Sequence, residues 1–484
     1  MALTGGLEVA EEELGIVRVL AGLVADADRR RSVRGVSAGA AKITLSELRG
    51  RLLKERVFED PARLLLRLRR RGLLEETAET RTDRTYQIPA PEVLKEALMG
   101  ELARAEIAES ATYTPVPDES NEIRAMDGEF VARLREVLAY RLEATLAFGR
   151  TIGVVDLRRY LEGLFGEALA LDSLIALLQQ YALADVPLLA PNGRTTGSTG
   201  FHLALFGPPG TGKTFAIDDL VRGNPRTAVP AHGLAGRNRY CGGITPVQFL
   251  RVGAYYSGRK FNFIVPEFND WFKYKGMVEP LKLVMEQREV KWETTLGTVG
   301  PYTFRSFFTV NYNVRTGSSA DYWTTVADPN FAALEDRMLL RFHQMTRERF
   351  RAVESAAERL ELGGLDFHLA EPLRDHLTLV HAIETRHPLV AGHFRSKSVR
   401  LDPKLYDRLR AVSEKALERT PHPTFSPRLK GRAVRLAAAS ALLRYFAHDD
   451  DETLPIGPDE GALAEEFYQE EIRAREGRRG SAAY

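Results

Sequence analysis

The chain has 484 residues, and its 67 Lys and Arg against 66 Asp and Glu leave a net charge of +1, so overall charge gives no argument for nucleic acid. Its single cysteine, Cys241, excludes an internal disulfide and a multi-cysteine metal site, and no apolar run approaches the roughly 18 residues of a membrane span. With 44% hydrophobic residues it can bury a core in each of about two to four domains, and its start, acidic at Glu8 and Glu11 to Glu13, is unlike a signal peptide, so a reducing cytoplasm is the expected setting.

Residues 1–112 read as a winged helix-turn-helix domain. A helix over 13–27 leads through a basic loop to a short strand at 43–45 and a second helix over 47–55. The third helix has Asp60 as cap, Pro61 in its first turn and Gly72 at its end. Its leucines, Leu64, Leu65, Leu66 and Leu68, can face the core while Arg63, Arg67, Arg69, Arg70 and Arg71 project outward. Residues 73–76 and 85–88 form the arms of a wing hairpin. From Asp28 to Tyr86 sixteen Lys and Arg stand against nine Asp and Glu, a local excess that the whole-chain balance hides. The five arginines are therefore candidate contacts to duplex DNA. The other reading is a winged helix used for oligomer or partner contacts, with solvated arginines.

A helical linker region is expected over 113–195, entered through a break at 113–120 that carries two prolines. A nucleotide-binding core should follow over 196–346, then a helical lid over 347–448, then a C-terminal helix and frayed tail over 449–484. In the core, the apolar run from His202 to Phe206 predicts a buried strand, and residues 215–222 carry apolar side chains at helical spacing. Between them Gly207, Pro208, Pro209, Gly210, Thr211, Gly212, Lys213 and Thr214 fit the spacing G-x-x-x-x-G-K-[ST], a phosphate-binding loop that runs into Phe215. Glycines let backbone N–H groups turn toward phosphate, Lys213 supplies a cation, and the Thr214 hydroxyl can ligate Mg²⁺. ATP and Mg²⁺ are the expected cofactors.

Hydrolysis needs more than a binding loop: a carboxylate to orient water, a sensor of the terminal phosphate and positive charge for the transition state. Residues 261–267 form an apolar strand ending in Glu267, the candidate base. A second apolar run, 304–310, ends in Asn311-Tyr312-Asn313, whose amides can sense phosphate and water. Arg337, in Leu334-Glu335-Asp336-Arg337, can serve a neighbouring subunit's nucleotide or pair with Asp336, and Ser426-Pro427-Arg428 offers a second arginine. Tyr240-Cys241-Gly242 reads as an ordinary turn or a pore loop.

In this order the motifs of 195–445 resemble the AAA+ ATPases, most closely the branch with MoxR-type ATPases and MCM helicases. Pro266-Glu267-Phe268-Asn269 lies where that branch has a strand ending in Asp-Glu-Ile-Asn, and 281–287 is similar to its Leu-Leu-Glu-Ala-Met-Glu-Glu helix. A hairpin of 290–295 with 302–308 is expected before the sensor strand. The resemblance implies an α/β phosphate-loop core, a parallel sheet between helices, with a helical lid, assembled as a homo-oligomeric ring, a hexamer by the family pattern. It puts Asn313 at the sensor, with Asn311 as fallback, Arg337 at the arginine finger and Arg428 at the lid's second sensor. Three departures stand out. Pro266 replaces the family's Mg²⁺-associated Asp, the span from Lys213 to Glu267 lacks room for the relatives' large insertion, and the hairpin tip carries no basic residue. The expected function is an ATP-dependent motor or remodeller on DNA; the alternatives are a MoxR-like chaperone acting on a protein client and a slow ATP switch.

Overall fold

The structure, a computed structural model, describes residues 41–54, 69, 75–79, 84–88, 119–273, 276–294, 297–316, 322–324, 330–419, 422–447 and 452–477. The chain divides after Asp118 into two compact units.

In the first unit β1 (Ala41–Thr44) runs directly into α1 (Leu45–Lys54), and β2 (Glu75–Glu79) and β3 (Arg84–Ile88) form an antiparallel hairpin, giving the sheet order β1-β3-β2. Thr44 sets the helix start. Its hydroxyl accepts the Glu47 N–H at 3.2 Å while the Glu47 carboxylate accepts the Thr44 N–H at 2.9 Å, a reciprocal capping box. The expected short strand, second helix and hairpin fall on these elements. The expected first and third helices, with Arg63, Arg67, Arg70 and Arg71, lie outside the described residues; Arg69 is described and is exposed.

The second unit opens with α2 (Glu119–Glu136), α3 (Leu142–Thr151), α4 (Val154–Phe165) and α5 (Glu167–Ala182), followed by the short strands β4 (Pro187–Leu189) and β5 (Thr195–Ser198). Its main sheet takes β6 (His202–Gly207), β7 (Asn238–Tyr240), β8 (Asn262–Val265), β11 (Phe307–Thr316) and β13 (Met338–Phe342), all parallel, in the order β13-β6-β11-β8-β7. Helix α6 (Pro246–Tyr255) leads to β8, and α7 (Val278–Met285) to a separate hairpin of β9 (Glu289–Thr294) and β10 (Gly297–Thr303). β12 (Tyr322–Thr324) pairs with the end of β11.

The central strands are largely apolar because both sheet faces are covered, and the two-residue period of a strand sorts their side chains. Leu203, Leu205, Ile264 and Leu339 join one hydrophobic cluster, while Ala204, Phe206, Phe263, Val265, Met338 and Leu340 join the other. The result is an α/β fold with a mostly parallel sheet between helical layers, compatible with a phosphate-loop core.

From Ala170 to Ala182 every residue of α5 is buried, and the helix lies in the same cluster as Leu203 and Leu205 of the sheet. That cluster continues through α9 (Ala370–Glu384), α10 (Pro403–Leu417), α11 (Arg428–Ala441) and α12 (Pro458–Glu476). A four-stranded sheet, β15-β14-β4-β5, joins β14 (Ser398–Arg400) and β15 (Thr453–Pro455) to the strands before β6. Residues expected in a linker, a lid and a tail thus share one core, and Leu463, Phe467, Tyr468 and Ile472 anchor the terminal helix. The β9–β10 hairpin also returns earlier than expected, over 297–303, because Phe307 to Val310 belong to the main sheet beside β8.

Candidate functional site

The loop from Pro208 to Thr214 leaves the carboxyl end of β6, where parallel sheets of this type open their crevice. Gly210 and Gly212 lie in the left-handed region, at φ 80° and 84°, which a side chain would strain. Gly207 is required for a different reason: a Cβ there would stand 2.9 Å from His343 Cβ. The buried Lys213 ammonium folds onto its own loop, donating to the Gly207 and Pro208 carbonyls at 3.0 and 2.6 Å. Burial, reinforced by Arg349 and opposed by Glu267 and Asp172, pushes Lys213 down to about 8.

Two neighbouring strands bring the polar groups to this loop. β11 lies between β6 and β8, with Asn313 in register with Gly207 and Val310 in register with Val265. Asn311 Nδ2 donates to the Thr214 hydroxyl at 2.9 Å, and Asn313 Nδ2 donates to the exposed Glu267 carboxylate at 3.3 Å. Asn269 clamps the turn after β8 to β11: its Nδ2 donates to the Asn313 carbonyl at 2.9 Å, and its Oδ1 accepts the Asn313 N–H at 2.8 Å. Both asparagines therefore lie inside β11 rather than beyond it, and each touches a different part of the site. Asn311 Oδ1 is buried without a hydrogen-bond partner.

Behind the loop lies a cluster that the motifs did not reveal. Arg349, in the first turn of α8 (Arg347–Glu361), donates to the Thr211 carbonyl at 2.9 Å and the Ala168 carbonyl at 3.0 Å and pairs with Asp172 at 2.6 Å. Arg341 reaches the same carboxylate at 3.1 Å. Burial works to raise the Asp172 carboxyl, but His343, Arg341 and Arg349 outweigh it and hold it well below the carboxylate range. Burial holds His343 well below its ordinary value, opposed by Asp172 and reinforced by Arg349, Arg341 and Lys213. No local spacing signals this cluster, because Asp172 and Arg349 are brought together only by the packing of α5 on α8.

Beside Gly212 and Phe215 an apolar cavity of about 150 Å³ is lined by Phe165, Leu169, Val353 and Leu360. The Phe165 and Phe215 rings meet edge to face at 5.0 Å. Such a slot suits a flat, largely apolar ring system held next to phosphate.

Arg337 and Arg428 are not at this site. Met338 is in register with His202, the first residue of β6, so Arg337 lies at the opposite end of a strand about 17 Å long. There it donates to the Ala333 carbonyl and pairs with Glu286, while Arg428 stands 3.5 Å from Asp336. Within the chain, Arg337 and the glycine-rich loop thus lie at opposite ends of β6. Tyr240 is exposed at the end of β7, with the Arg222 guanidinium 4.5 Å from its ring.

A scan against protein-family models and a search of the curated proteins return no match for this chain. Among the described residues no helix is long and apolar enough to cross a membrane.

Proposed function

We propose that this chain is an ATPase of AAA+ type that works as a motor or remodeller in a homo-oligomeric ring. The observation that supports it best is the convergence of Lys213, Thr214, Asn311, Asn313 and Glu267 at the carboxyl ends of three adjacent strands, with arginines at the opposite ends. On this reading the triphosphate lies along the loop from Gly207 to Thr214, and the adenine enters the apolar cavity lined by Phe165, Leu169, Phe215 and Val353. Mg²⁺ would be held by the Thr214 hydroxyl, and it would neutralise charge on the phosphates. Pro266 would offer such a metal no side-chain oxygen, whereas Asn311, which donates to the Thr214 hydroxyl, keeps a buried Oδ1 without a hydrogen-bond partner. Glu267, held by Asn313, orients water.

Displacing Lys213 Nζ from the loop carbonyls onto phosphate raises its pKa, so nucleotide binding takes up a proton where the free protein has lost one. We expect uptake to be small at pH 7 and to grow through pH 8 to 9. Calorimetry in buffers of different ionisation enthalpy measures it, and Lys213→Arg should remove it, since guanidinium stays charged there. Uptake that is absent at pH 9 would contradict the placement of phosphate at Lys213.

The substrate reading favours duplex DNA, through the basic N-terminal unit. Replacing Arg67, Arg69, Arg70 and Arg71 by Ala should lower DNA affinity and flatten its log-log salt slope by up to about 3.6, at roughly 0.9 per phosphate contact. ATP turnover should be unchanged. A parent protein without salt-dependent DNA binding would give first place to a chaperone acting on a protein client. A slow switch is favoured by one observation, the apolar Pro266 where a carboxylate would assist the metal.

A further inference from the structure

At the amino ends of β6 and β13 lies a cavity of about 450 Å³ walled by Arg337, Arg428, Arg432 and Arg435. Two carboxylates, Glu286 and Asp336, face these four guanidiniums, and they are not equivalent. Asp336 is fully engaged: its side chain accepts the Ser426 hydroxyl at 2.6 Å and lies 3.5 Å from Arg428, and its carbonyl accepts from Arg432. Glu286 follows the last turn of α7 and holds Arg337 with one oxygen and the exposed Arg288, at 2.7 Å, with the other.

The guanidiniums are under-satisfied. Arg432 is more than nine-tenths buried, yet its Nε and Nη2 have no hydrogen-bond partner, and neither has Arg337 Nε. Asp336 Oδ1 is 3.8 Å from Arg432 Nη2, too far for a hydrogen bond. Burial pushes Arg432 down to about 10, with Arg475 and Arg435 adding to it against Glu471 and Asp336. Unspent N–H groups on a buried cation are costly, and an oxyanion with several acceptor oxygens is the group that satisfies them.

We propose that this cavity is a phosphate site in which Glu286 acts as a displaceable internal stand-in, keeping Arg337 occupied until a phosphate takes its place. Resting on the ring reading above, the incoming group is the terminal phosphate of a neighbour's nucleotide, so a free chain keeps its finger sheathed and assembly around ATP releases it. Free inorganic phosphate shares the chemistry, and the test separates the two sources.

The test uses the full chain with Lys213→Ala, so that the phosphate loop does not contribute, titrated with inorganic phosphate by calorimetry. Glu286→Gln should tighten phosphate binding by about tenfold, the loss of one competing charge. Arg428→Ala, at a residue whose side chain is 58% exposed and whose loss should leave the fold intact, should weaken it by a similar factor. No phosphate binding in the Lys213→Ala protein, or equal binding with Glu286→Gln, overturns the proposal. In the Lys213-containing protein, Glu286→Gln should also lower the concentration at which ATP drives assembly, read by light scattering. Unchanged assembly beside tightened phosphate binding would overturn the neighbour's nucleotide as the source and assign the cavity to free phosphate. Failure of ATP to bind the Lys213-containing protein would instead defeat the phosphate-loop reading, and the phosphate titration would still stand.

Discussion

Arg337→Ala should lower ATP turnover by about 10³- to 10⁵-fold, the range of an arginine finger, while each chain keeps its own affinity for nucleotide. The two halves of that expectation come from one geometric fact. Arg337 precedes β13 at the amino end of the sheet, and the loop from Gly207 to Thr214 leaves β6 at the carboxyl end, so on the proposed ring reading its charge would act on the next subunit's nucleotide. Removing it leaves Glu286 with Arg288 alone, so Arg337→Lys, which keeps the charge and loses the planar fork, serves as the folding control. Mixing Arg337→Ala with Glu267→Gln chains should restore part of the activity, because some sites then pair an intact Glu267 with a neighbour's intact Arg337. Proven co-assembly without any recovery would make Arg337 a structural partner of Glu286.

Glu267→Gln should keep ATP bound and lower turnover by about 10² to 10⁴, the share a positioned general base contributes. The amide has the carboxylate's shape, and one end of it can still meet Asn313 Nδ2, now 3.3 Å from Glu267 Oε2, but it cannot take a proton from water. The variant should therefore accumulate the ATP-bound assembly. Asn313→Ala tests the same contact from the other side: it should slow turnover less than Glu267→Gln, since the exposed Glu267 remains. Parental turnover in Glu267→Gln would move the base elsewhere, with Asp270, also on the turn after β8, the next carboxylate to test.

The strand, loop and acid of the site were readable because each is local. A glycine-rich loop needs its residues in sequence, and a buried parallel strand announces itself as an apolar run; His202 to Phe206 and 261–265 both did. Long-range pairing was not readable. The register that puts Asn311 at Thr214 and Asn313 at Glu267 depends on β11 inserting between β6 and β8, which no spacing within 304–313 specifies. The same holds for Arg349, which meets Asp172 across 177 positions of chain. It holds too for β4 and β5, which pair into one sheet with β14 and β15 from far along the chain. α5 is buried all round from Ala170 to Ala182, its polar Asp172, Gln179 and Gln180 included, and those polar positions hid its interior place.

The central claim, that the loop from Gly207 to Thr214 binds the phosphates of ATP, is tested most directly by calorimetric titration of the full chain with Mg·ATP, beside Lys213→Ala. Removing the lysine frees the Gly207 and Pro208 carbonyls and takes away the loop's cation, so the fold should persist while the phosphates lose their strongest partner. The account predicts one nucleotide bound per chain in the parent and binding abolished or severely weakened in Lys213→Ala. Equal affinity in the two proteins, or no binding in the parent, would contradict it.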